Sequence, residues 1–183
     1  AQQLSILSQQ DALTGLANRR YLDEVLENEW KRSIRHEVPI TIMMVDIDSF
    51  KLYNDTLGHI QGDQCLRRIA ILLGSISSRS GDLAARYGGE EFLLLFSMTD
   101  KDQALIQVQR LMELVRNIAI AHPRSSVSKY VTISVGVATM IPHLNDSLLE
   151  FISQVDHALY VAKSNGRNQY HIATVDQTIS ETL

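Results

Sequence analysis

The feature that most constrains the fold is a run of eight residues, Ile40 to Ile47, which is rich in β-branched residues and Met and is almost continuously apolar. An apolar run of this length is typical of a central strand, whereas a half-buried strand alternates apolar with polar residues. Pro39 precedes the run, and Asp46 and Asp48 lie at its end. The sequence therefore predicts a central strand with acidic groups at one end.

Four other segments carry apolar residues at helical spacing. Asn18 is a suitable N-cap for the first helix, which we expect to end before Pro39. Ser147 and Glu150 form a capping-box pattern at the start of the fourth, and Gly166 suits the C′ position beyond its end. The four predicted helices contain Leu22 to Trp30, Asp63 to Ile76, Ala104 to Val115 and Leu148 to Leu159.

A β-hairpin is predicted between the second and third helices. Leu83 to Tyr87 and Phe92 to Phe96 are short strand-like runs, and Gly88-Gly89-Glu90-Glu91 separates them. We expect the glycines to supply the positive φ of the turn, which would place two carboxylates at its tip.

The remaining strands complete a mixed fold. In the segment Val131 to Val137, every second residue is Val or Ile and the residues between them are smaller, as in a half-buried strand. A last strand is expected around Tyr170 and Ile172. The order of strand, helix, hairpin, helix and strand is the βαββαβ arrangement of ferredoxin-like folds. We therefore predict the α+β class, with a ferredoxin-like βαββαβ core and an antiparallel central sheet flanked by helices.

One domain accounts for most of the chain, because 183 residues with 45% hydrophobic content suit one packed core. We place this domain at residues 11–175, with the end of an upstream linker helix at residues 1–10 and a C-terminal tail at residues 176–183. The single cysteine, Cys65, lies in an apolar run and is predicted to be a core residue in a reducing compartment.

Charge and hydropathy exclude two classes of function. The 17 basic and 21 acidic residues give a net charge of -4, so the chain lacks the overall basic field of a nucleic-acid-binding protein. No apolar run approaches the roughly 20 residues that span a bilayer, and no signal-peptide pattern opens the sequence. We expect a cytoplasmic location, with any membrane anchor of the full-length protein in an upstream region.

Three carboxylates could meet at one edge of the predicted sheet. If the central strand pairs with the hairpin, Asp46, Glu90 and Glu91 gather there. Hard oxygen ligands without a nearby His or Cys pair suit Mg²⁺ or Mn²⁺, and Mg²⁺ is commonly shared between carboxylates and the phosphates of a nucleotide. The alternative is that these acidic residues are simply solvated at turns.

Several sequence blocks resemble one known family. Arg86-Tyr87-Gly88-Gly89-Glu90-Glu91-Phe92 is similar to the signature loop of GGDEF diguanylate cyclases, in the variant with Glu at the third position. The resemblance covers about residues 11–170. It implies the nucleotide-cyclase-like GGDEF fold and the condensation of two GTP molecules into cyclic di-GMP and two pyrophosphates. The other matching blocks are Asp11-Ala12-Leu13-Thr14-Gly15-Leu16, Asn18-Arg19, Asp46-Ile47-Asp48, Phe50-Lys51, Asn54 to His59, Gly62-Asp63, Ser134 to Ala138, Ala158-Leu159-Tyr160, Ala162-Lys163 and Gly166-Arg167-Asn168.

The resemblance implies a site for two Mg²⁺ or Mn²⁺ ions. Asp46 and Glu90 would hold the metals, and the Ile47 carbonyl and Glu91 would complete the coordination sphere. Two cations would offset the charge that grows on the α-phosphate and on the leaving pyrophosphate. Glu90 is also the implied catalytic base for the attacking 3′-hydroxyl. A carboxylate on Mg²⁺ is a weak base, so the alternative is that a metal itself acidifies the hydroxyl.

The nucleotide contacts are implied in the same way. Asn54 and Asp63 resemble the family's guanine readers, and Asp63 would accept from the N1 and N2 hydrogens that adenine lacks in that arrangement. The alternatives are an Asn in a turn and an Asp that caps the following helix. His59 suits substrate contact and loop hydrogen bonding equally. The implied phosphate contacts are the side chains of Lys51, Lys163 and Arg167 and the backbone beside Phe50, whose ring we expect to pack in the core.

Arg79 and Asp82 match the family's Arg-x-x-Asp inhibitory site in pattern and in distance from Gly88. The resemblance implies that Arg79 reads O6 and N7 of guanine in bound cyclic di-GMP, while Asp82 accepts from the opposite edge. The product would then act as an inhibitor. The alternative is a surface ion pair of little energetic consequence.

One such site holds one GTP, so the resemblance also implies a homodimer in which two active sites meet. An upstream sensory domain would control this encounter by raising the effective concentration of one active site around the other. Three other readings stay open. They are a catalytically inactive effector domain that binds GTP or cyclic di-GMP, an enzyme with altered base choice, and a ferredoxin-like interaction or RNA-binding module. The intact metal set argues against the first, Asp63 argues against the second, and the missing basic face and aromatic RNP-type strand argue against the third.

Overall fold

The computed structural model describes residues 8–175. The predicted tail at residues 176–183 and most of the predicted linker helix lie outside the described residues. Of that linker segment, the described residues 8–10 form a turn and an isolated β-bridge between Gln10 and Ala17. Within residues 8–175, none of the helices has the length and apolar character needed to cross a membrane.

The described strands form one sheet and are β1 (Ile40–Ile47), β2 (Leu83–Gly88), β3 (Glu91–Ser97), β4 (Ile133–Met140) and β5 (Gln169–Ile172). Their spatial order is β2-β3-β1-β4-β5. β1 lies in the middle and is antiparallel to both β3 and β4, whereas β5 pairs parallel with β4 at the edge. The predicted α+β class and βαββαβ core are confirmed, with one parallel strand added beyond the antiparallel core.

In the described part of the chain the helices are α1 (Arg19–His36), α2 (Phe50–Leu57), α3 (His59–Ile76), α4 (Lys101–Ile118) and α5 (Leu148–Ser164). Four of them match the predicted helices. The sequence pattern missed α2, because eight residues that bury only Phe50 and Tyr53 are too few to show a period. Gly58, with a φ of 87°, separates α2 from α3. α3 therefore begins at His59, four residues before the predicted start.

β1 is apolar on both faces because helices cover both of them. Met43, Val45 and Ile47 pack in one core cluster with α2, α3 and α4, while Ile42 and Met44 pack in a second cluster with α1 and α5. All eight residues of β1 are buried, as predicted. All eight residues of β4 are buried as well, so the prediction of a half-buried strand is wrong. The small residues of β4 allow close packing of a helix, not exposure to solvent.

The predicted helix ends are formed by local capping contacts. Asn18 Oδ1 accepts a hydrogen bond from the Tyr21 amide at 2.9 Å, and Ser147 Oγ accepts one from the Glu150 amide at 3.2 Å. Gly166 lies just beyond Asn165, the C-cap residue of α5, and has a φ of 117°. This is the left-handed C′ position that the sequence predicts.

The hairpin forms as predicted, but its turn has a different geometry. Arg86 pairs with Phe92 and Gly88 pairs with Glu91, so the register shifts between Arg86 and Gly88. Gly88 and Gly89 are not among the glycines with positive φ. The expectation of positive φ at these glycines is therefore wrong: Gly89 and Glu90 reverse the chain without it, and the register shift in β2 accompanies the turn.

Candidate active site

Pairing between β1 and β3 brings the predicted acidic residues to one edge of the sheet. Asp46 lies opposite Glu91 in the register, and the Ile47 amide donates to the Glu90 carbonyl at 3.2 Å. Asp46 is 5% exposed, while Glu90 and Glu91 are half-buried. The strand pairing alone therefore places four of the predicted metal-site residues next to one another.

The Asp46 carboxylate is electrostatically unusual. Burial raises the pKa of Asp46 to about 6, since the positive charge of Lys163 only partly offsets the desolvation and the repulsion from Glu90 and Glu91 adds to it. Lys163 Nζ donates to Asp46 Oδ2 at 2.7 Å. The edge thus carries more negative charge than its single nearby ammonium group neutralises, which favours the binding of further cations.

The carboxylates do not form a closed cage. Within residues 8–175, no three His, Cys, Asp or Glu side chains lie close enough together to hold a metal ion by themselves. Mg²⁺ usually takes one or two protein carboxylates and completes its shell with water and phosphate oxygens. An open edge with Asp46 at its centre and two flexible glutamates beside it fits an ion that arrives with a nucleotide.

The predicted base-reading residues lie on the two helices that meet at Gly58. Asn54 lies on α2 and is half-buried, and Oδ1 of Asn54 is a buried atom with no hydrogen-bond partner in the described chain. Gly62 on α3 faces it, because a Cβ on Gly62 would collide with that oxygen. His59 is exposed and the half-buried Asp63 follows it by four residues on α3. Asp63 therefore lies inside the helix, and its alternative role as an N-cap is wrong.

The predicted phosphate-binding residues lie at the start of α2 and around the end of α5. Lys51 is exposed in the first turn of α2, and Arg167 is exposed in the turn that follows α5. Lys163, in the last turn of α5, contacts Asp46 directly. Phe50 is 7% exposed and stacks on Tyr53 with ring centroids 6.2 Å apart, so its ring is a core residue as predicted.

Arg79 and Asp82 are bonded to each other and to β3. The buried Asp82 carboxylate accepts from the Ser97 amide at 3.2 Å and from the Arg79 amide at 3.3 Å. The Arg79 guanidinium lies 3.6 Å from Asp82 and donates to Thr99 Oγ1 at 2.8 Å. The Asp82 side chain is only 1% exposed, and burial raises its pKa. The Asp82 carboxylate is therefore part of the fold, whereas the Arg79 side chain is 56% exposed, so Arg79 is the member of this pair that a ligand can reach without rearrangement.

Arg86 is a site residue to which the sequence motifs assigned no role. Its guanidinium donates to the Gly89 carbonyl at 2.9 Å from Nη2 and 3.1 Å from Nε, and lies 3.4 Å from Asp11. Asp11 in turn accepts from the Thr14 amide and hydroxyl. Arg86 thus connects the turn before α1 to the loop that carries Glu90. Both segments appear in the motif pattern, but only the folded chain brings them together.

Asp48 is a second residue that sequence reasoning left without a role. It lies two residues beyond Asp46, yet it is 2% exposed and its oxygens accept three hydrogen bonds. In the sequence, Asp48 was indicated only as a second Asp at the end of the apolar run.

Comparisons with known proteins agree with this architecture. Residues 8–169 match the family model described as diguanylate cyclase, GGDEF domain. Diguanylate cyclase DgcZ of Escherichia coli (strain K12) is 38% identical over 168 residues, which cover 91% of this chain and 54% of that protein. The chain thus spans about half the length of this curated relative.

Solved structures show the same similarity. The coiled coil and GGDEF domain of DgcB from Caulobacter crescentus, in complex with c-di-GMP, has a TM-score of 0.85 and 30% identity over 94% of this chain and 89% of that chain. Diguanylate cyclase SiaD from Pseudomonas aeruginosa, in complex with its activator SiaC, has a TM-score of 0.82 and 39% identity over 94% of this chain and 64% of that chain.

Proposed function

The chain belongs to the diguanylate cyclase GGDEF-domain family, and we therefore propose that it condenses two GTP molecules into cyclic di-GMP and two pyrophosphates. The observation that carries this proposal is the edge at Asp46, where β1 and β3 bring together Asp46, Ile47, Glu90 and Glu91, with Lys163 beside them. In this reaction each 3′-hydroxyl attacks the α-phosphate of the other nucleotide.

Asp46 and Glu90 are the proposed metal ligands, with Glu91 and the Ile47 carbonyl in support. Two Mg²⁺ or Mn²⁺ ions, when bound, would neutralise charge on the reacting phosphates and on the pyrophosphate that leaves. Asp46 supplies one buried carboxylate fixed by the strand, and Glu90 supplies a half-buried carboxylate from the hairpin. Glu90 is also the proposed base for the 3′-hydroxyl, and the alternative is that a bound metal acidifies that hydroxyl.

The cationic side chains would orient the triphosphate. Lys163 contacts the Asp46 carboxylate, so its ammonium is next to a proposed metal ligand and would contact a phosphate bound to that metal. Arg167 and Lys51 are exposed on either side, and the backbone beside Phe50 begins α2. Together these groups offset the charge of the triphosphate before the chemical step.

Guanine selection is assigned to the contact between α2 and α3. The unpartnered Asn54 amide oxygen and the Asp63 carboxylate offer hydrogen-bonding groups that a purine edge can use. Asp63 would accept from N1 and N2 of guanine, and adenine lacks those donors. His59, one turn before Asp63 on α3, would contact the same nucleotide.

The active assembly is proposed to be a homodimer, because one site of this kind holds one GTP and the product requires two. An upstream sensory domain in the full-length protein would regulate the encounter of two such sites. Cyclic di-GMP is the proposed inhibitor at Arg79 and Asp82, where its guanine would replace the Thr99 hydroxyl as a partner of Arg79.

The test is product formation by the purified chain. We expect GTP with Mg²⁺ or Mn²⁺, at high protein concentration, to yield cyclic di-GMP identified by chromatography and mass. Glu90→Gln should yield none, and ATP should not replace GTP. If a fused coiled coil enforces dimerisation and the wild type still makes no product while binding GTP, the chain is a nucleotide-binding effector domain instead.

A further inference from the structure

Asp48 is a buried carboxylate whose hydrogen bonds are to residues outside the proposed metal site. Thr132 Oγ1 donates to Asp48 Oδ2 at 2.8 Å, and Ser134 Oγ donates to Oδ1 at 2.7 Å. The Asn168 amide donates to Oδ2 at 3.0 Å. Asp48 therefore joins the end of β1 to β4 and to the turn after α5, and neither of its oxygens is left without a donor.

The turn held by Asp48 has a strained backbone. Three consecutive residues have left-handed conformations, with φ values of 117° at Gly166, 64° at Arg167 and 50° at Asn168. Glycine adopts this region freely, but an L-residue such as Arg or Asn does so at a cost, and two such residues in succession are uncommon. Such a conformation persists only where neighbouring groups hold it in place. The hydrogen bond from the Asn168 amide to Asp48 is one such constraint. Other constraints are the hydrogen bond from the Arg167 amide to the Ala162 carbonyl at 3.1 Å and the one from Gln169 Nε2 to the Arg167 carbonyl at 2.9 Å.

The two acidic residues at the end of β1 hold the two ends of one short segment. Asp46 contacts Lys163 through its side chain, and Asp48 contacts Asn168 through its amide. The segment between them carries Lys163 and Arg167, the cations assigned above to the triphosphate. We propose that Asp48 is a positioning residue that holds the turn at Gly166 to Asn168 and so sets Arg167 and Lys163 against the substrate, and that it is not a metal ligand. The part of this inference that concerns the substrate rests on the proposed function, whereas the contact between Asp48 and the turn does not.

Two readouts test the proposal independently. The first is amide hydrogen exchange at Asn168, measured by NMR without substrate. The Asn168 side chain is exposed, and its amide donates to the Asp48 carboxylate. We expect protection of this amide in the wild type and exchange at least about ten times faster in Asp48→Asn, where the amide has a neutral acceptor instead of a carboxylate.

The second readout is steady-state kinetics with GTP and Mg²⁺ varied separately. Asp48→Asn should raise the KM for GTP about tenfold, because the hydrogen bonds that hold the turn lose their charged acceptor, and should leave the Mg²⁺ concentration for half-maximal rate unchanged. Adding Asn168→Gly to Asp48→Asn should recover much of the loss, since glycine adopts the left-handed conformation without strain. Thr41→Val is the matched control. It removes buried hydrogen bonds at the opposite end of β1, so it should lower stability and leave the KM unchanged.

Several results would overturn the proposal. An unprotected Asn168 amide in the wild type would do so without any variant, even if Asp48→Asn does not fold. An increased Mg²⁺ requirement with an unchanged KM would make Asp48 a metal ligand. If Asn168→Gly does not restore the KM of Asp48→Asn, Asp48 does not act on the substrate through the turn. If the wild type makes no cyclic di-GMP, the proposed function fails, but the exchange experiment still decides whether Asp48 holds the turn.

Discussion

α5 packs closely on β4 at Gly136, where a single added methyl group has a predictable cost. A Cβ at this position would overlap the Leu159 amide nitrogen and the Val155 carbonyl oxygen of α5, and would lie 3.0 Å from the Leu159 Cα. All three atoms belong to the helix backbone. No side-chain rotation can relieve the contact, so α5 must shift away from the sheet as a whole.

The expected cost of Gly136→Ala follows from this geometry. Overpacking a well-packed core costs about 1–3 kcal/mol, and a contact with rigid backbone should reach the upper end, about 3 kcal/mol. For a chain of this size, each kcal/mol lowers Tm by about 2–4 °C, so we expect a decrease of about 6–12 °C. Because α5 also carries Lys163, the variant should lose cyclase activity at temperatures where it remains folded.

Thermal and urea unfolding, followed by circular dichroism, measure the effect. Gly74→Ala is the matched control, since Gly74 lies inside α3 and its Cβ would meet only Leu16 Cδ2 at an ordinary 3.7 Å. Alanine there should stabilise the helix by about 0.5–1 kcal/mol. If Gly136→Ala unfolds within about 0.5 kcal/mol of the wild type, the close packing of α5 on β4 is not a constraint and the reasoning is refuted.

Four further predictions concern other sites. Gly62→Ala should raise the KM for GTP with a stability change below about 1 kcal/mol, because its methyl group displaces the flexible Asn54 side chain and not backbone; an unchanged KM would contradict the role of Asn54. Cys65, 1% exposed and with a pKa raised by burial to about 11, should resist a thiol reagent at pH 8 and react once urea unfolds the chain; rapid native labelling would refute its burial. Asp11 has a pKa below its usual 3.8, because hydrogen bonds from Thr14 and the charge of Arg86 outweigh the effect of burial, so its ionised form stabilises the fold above about pH 4. The stability advantage over Asp11→Asn in urea titrations should therefore shrink as pH falls below 4. Asp82 has a raised pKa, so ionisation of its carboxyl favours the unfolded chain, and the free energy of unfolding should fall as pH rises above 3.8. This fall should be smaller in Asp82→Asn, whose side chain does not ionise.

Much of the fold could be predicted because local patterns and burial agree. The apolar run at Ile40 to Ile47 indicated the central strand, and Asn18 and Ser147 marked helix starts that form as expected. The errors have local causes. α2 was missed because its length hides its period, and β4 was assigned one exposed face because a small residue such as Gly136 reads as exposed in a pattern even when a helix covers it.

The candidate site was predictable as a set of residues but not as an arrangement. The motif blocks contain Asp46, Glu90, Lys163 and Asp63, and pairing of β1 with β3 follows from the expected hairpin. The sequence could not indicate that Lys163 bonds to Asp46, which is 117 residues away. The resemblance assigned Asp46 to the metal site, but the sequence could not indicate the partners of Asp48, because Thr132, Ser134 and Asn168 are far from it along the chain.

The sequence by itself determined the class of fold, the family and the residues available for chemistry, because strand and helix periods, caps and motif blocks are local properties of the chain. Only the tertiary structure decided that Asp46 bonds to Lys163 while Asp48 bonds to β4 and the turn after α5. It also decided how Arg86 connects Asp11 to Gly89, and that the Asp82 carboxylate is buried against the end of β3. These outcomes depend on contacts between residues far apart in sequence. Burial and hydrogen-bond partners at such contacts set the charge and freedom of each group, and neither is encoded in the spacing of the residues alone.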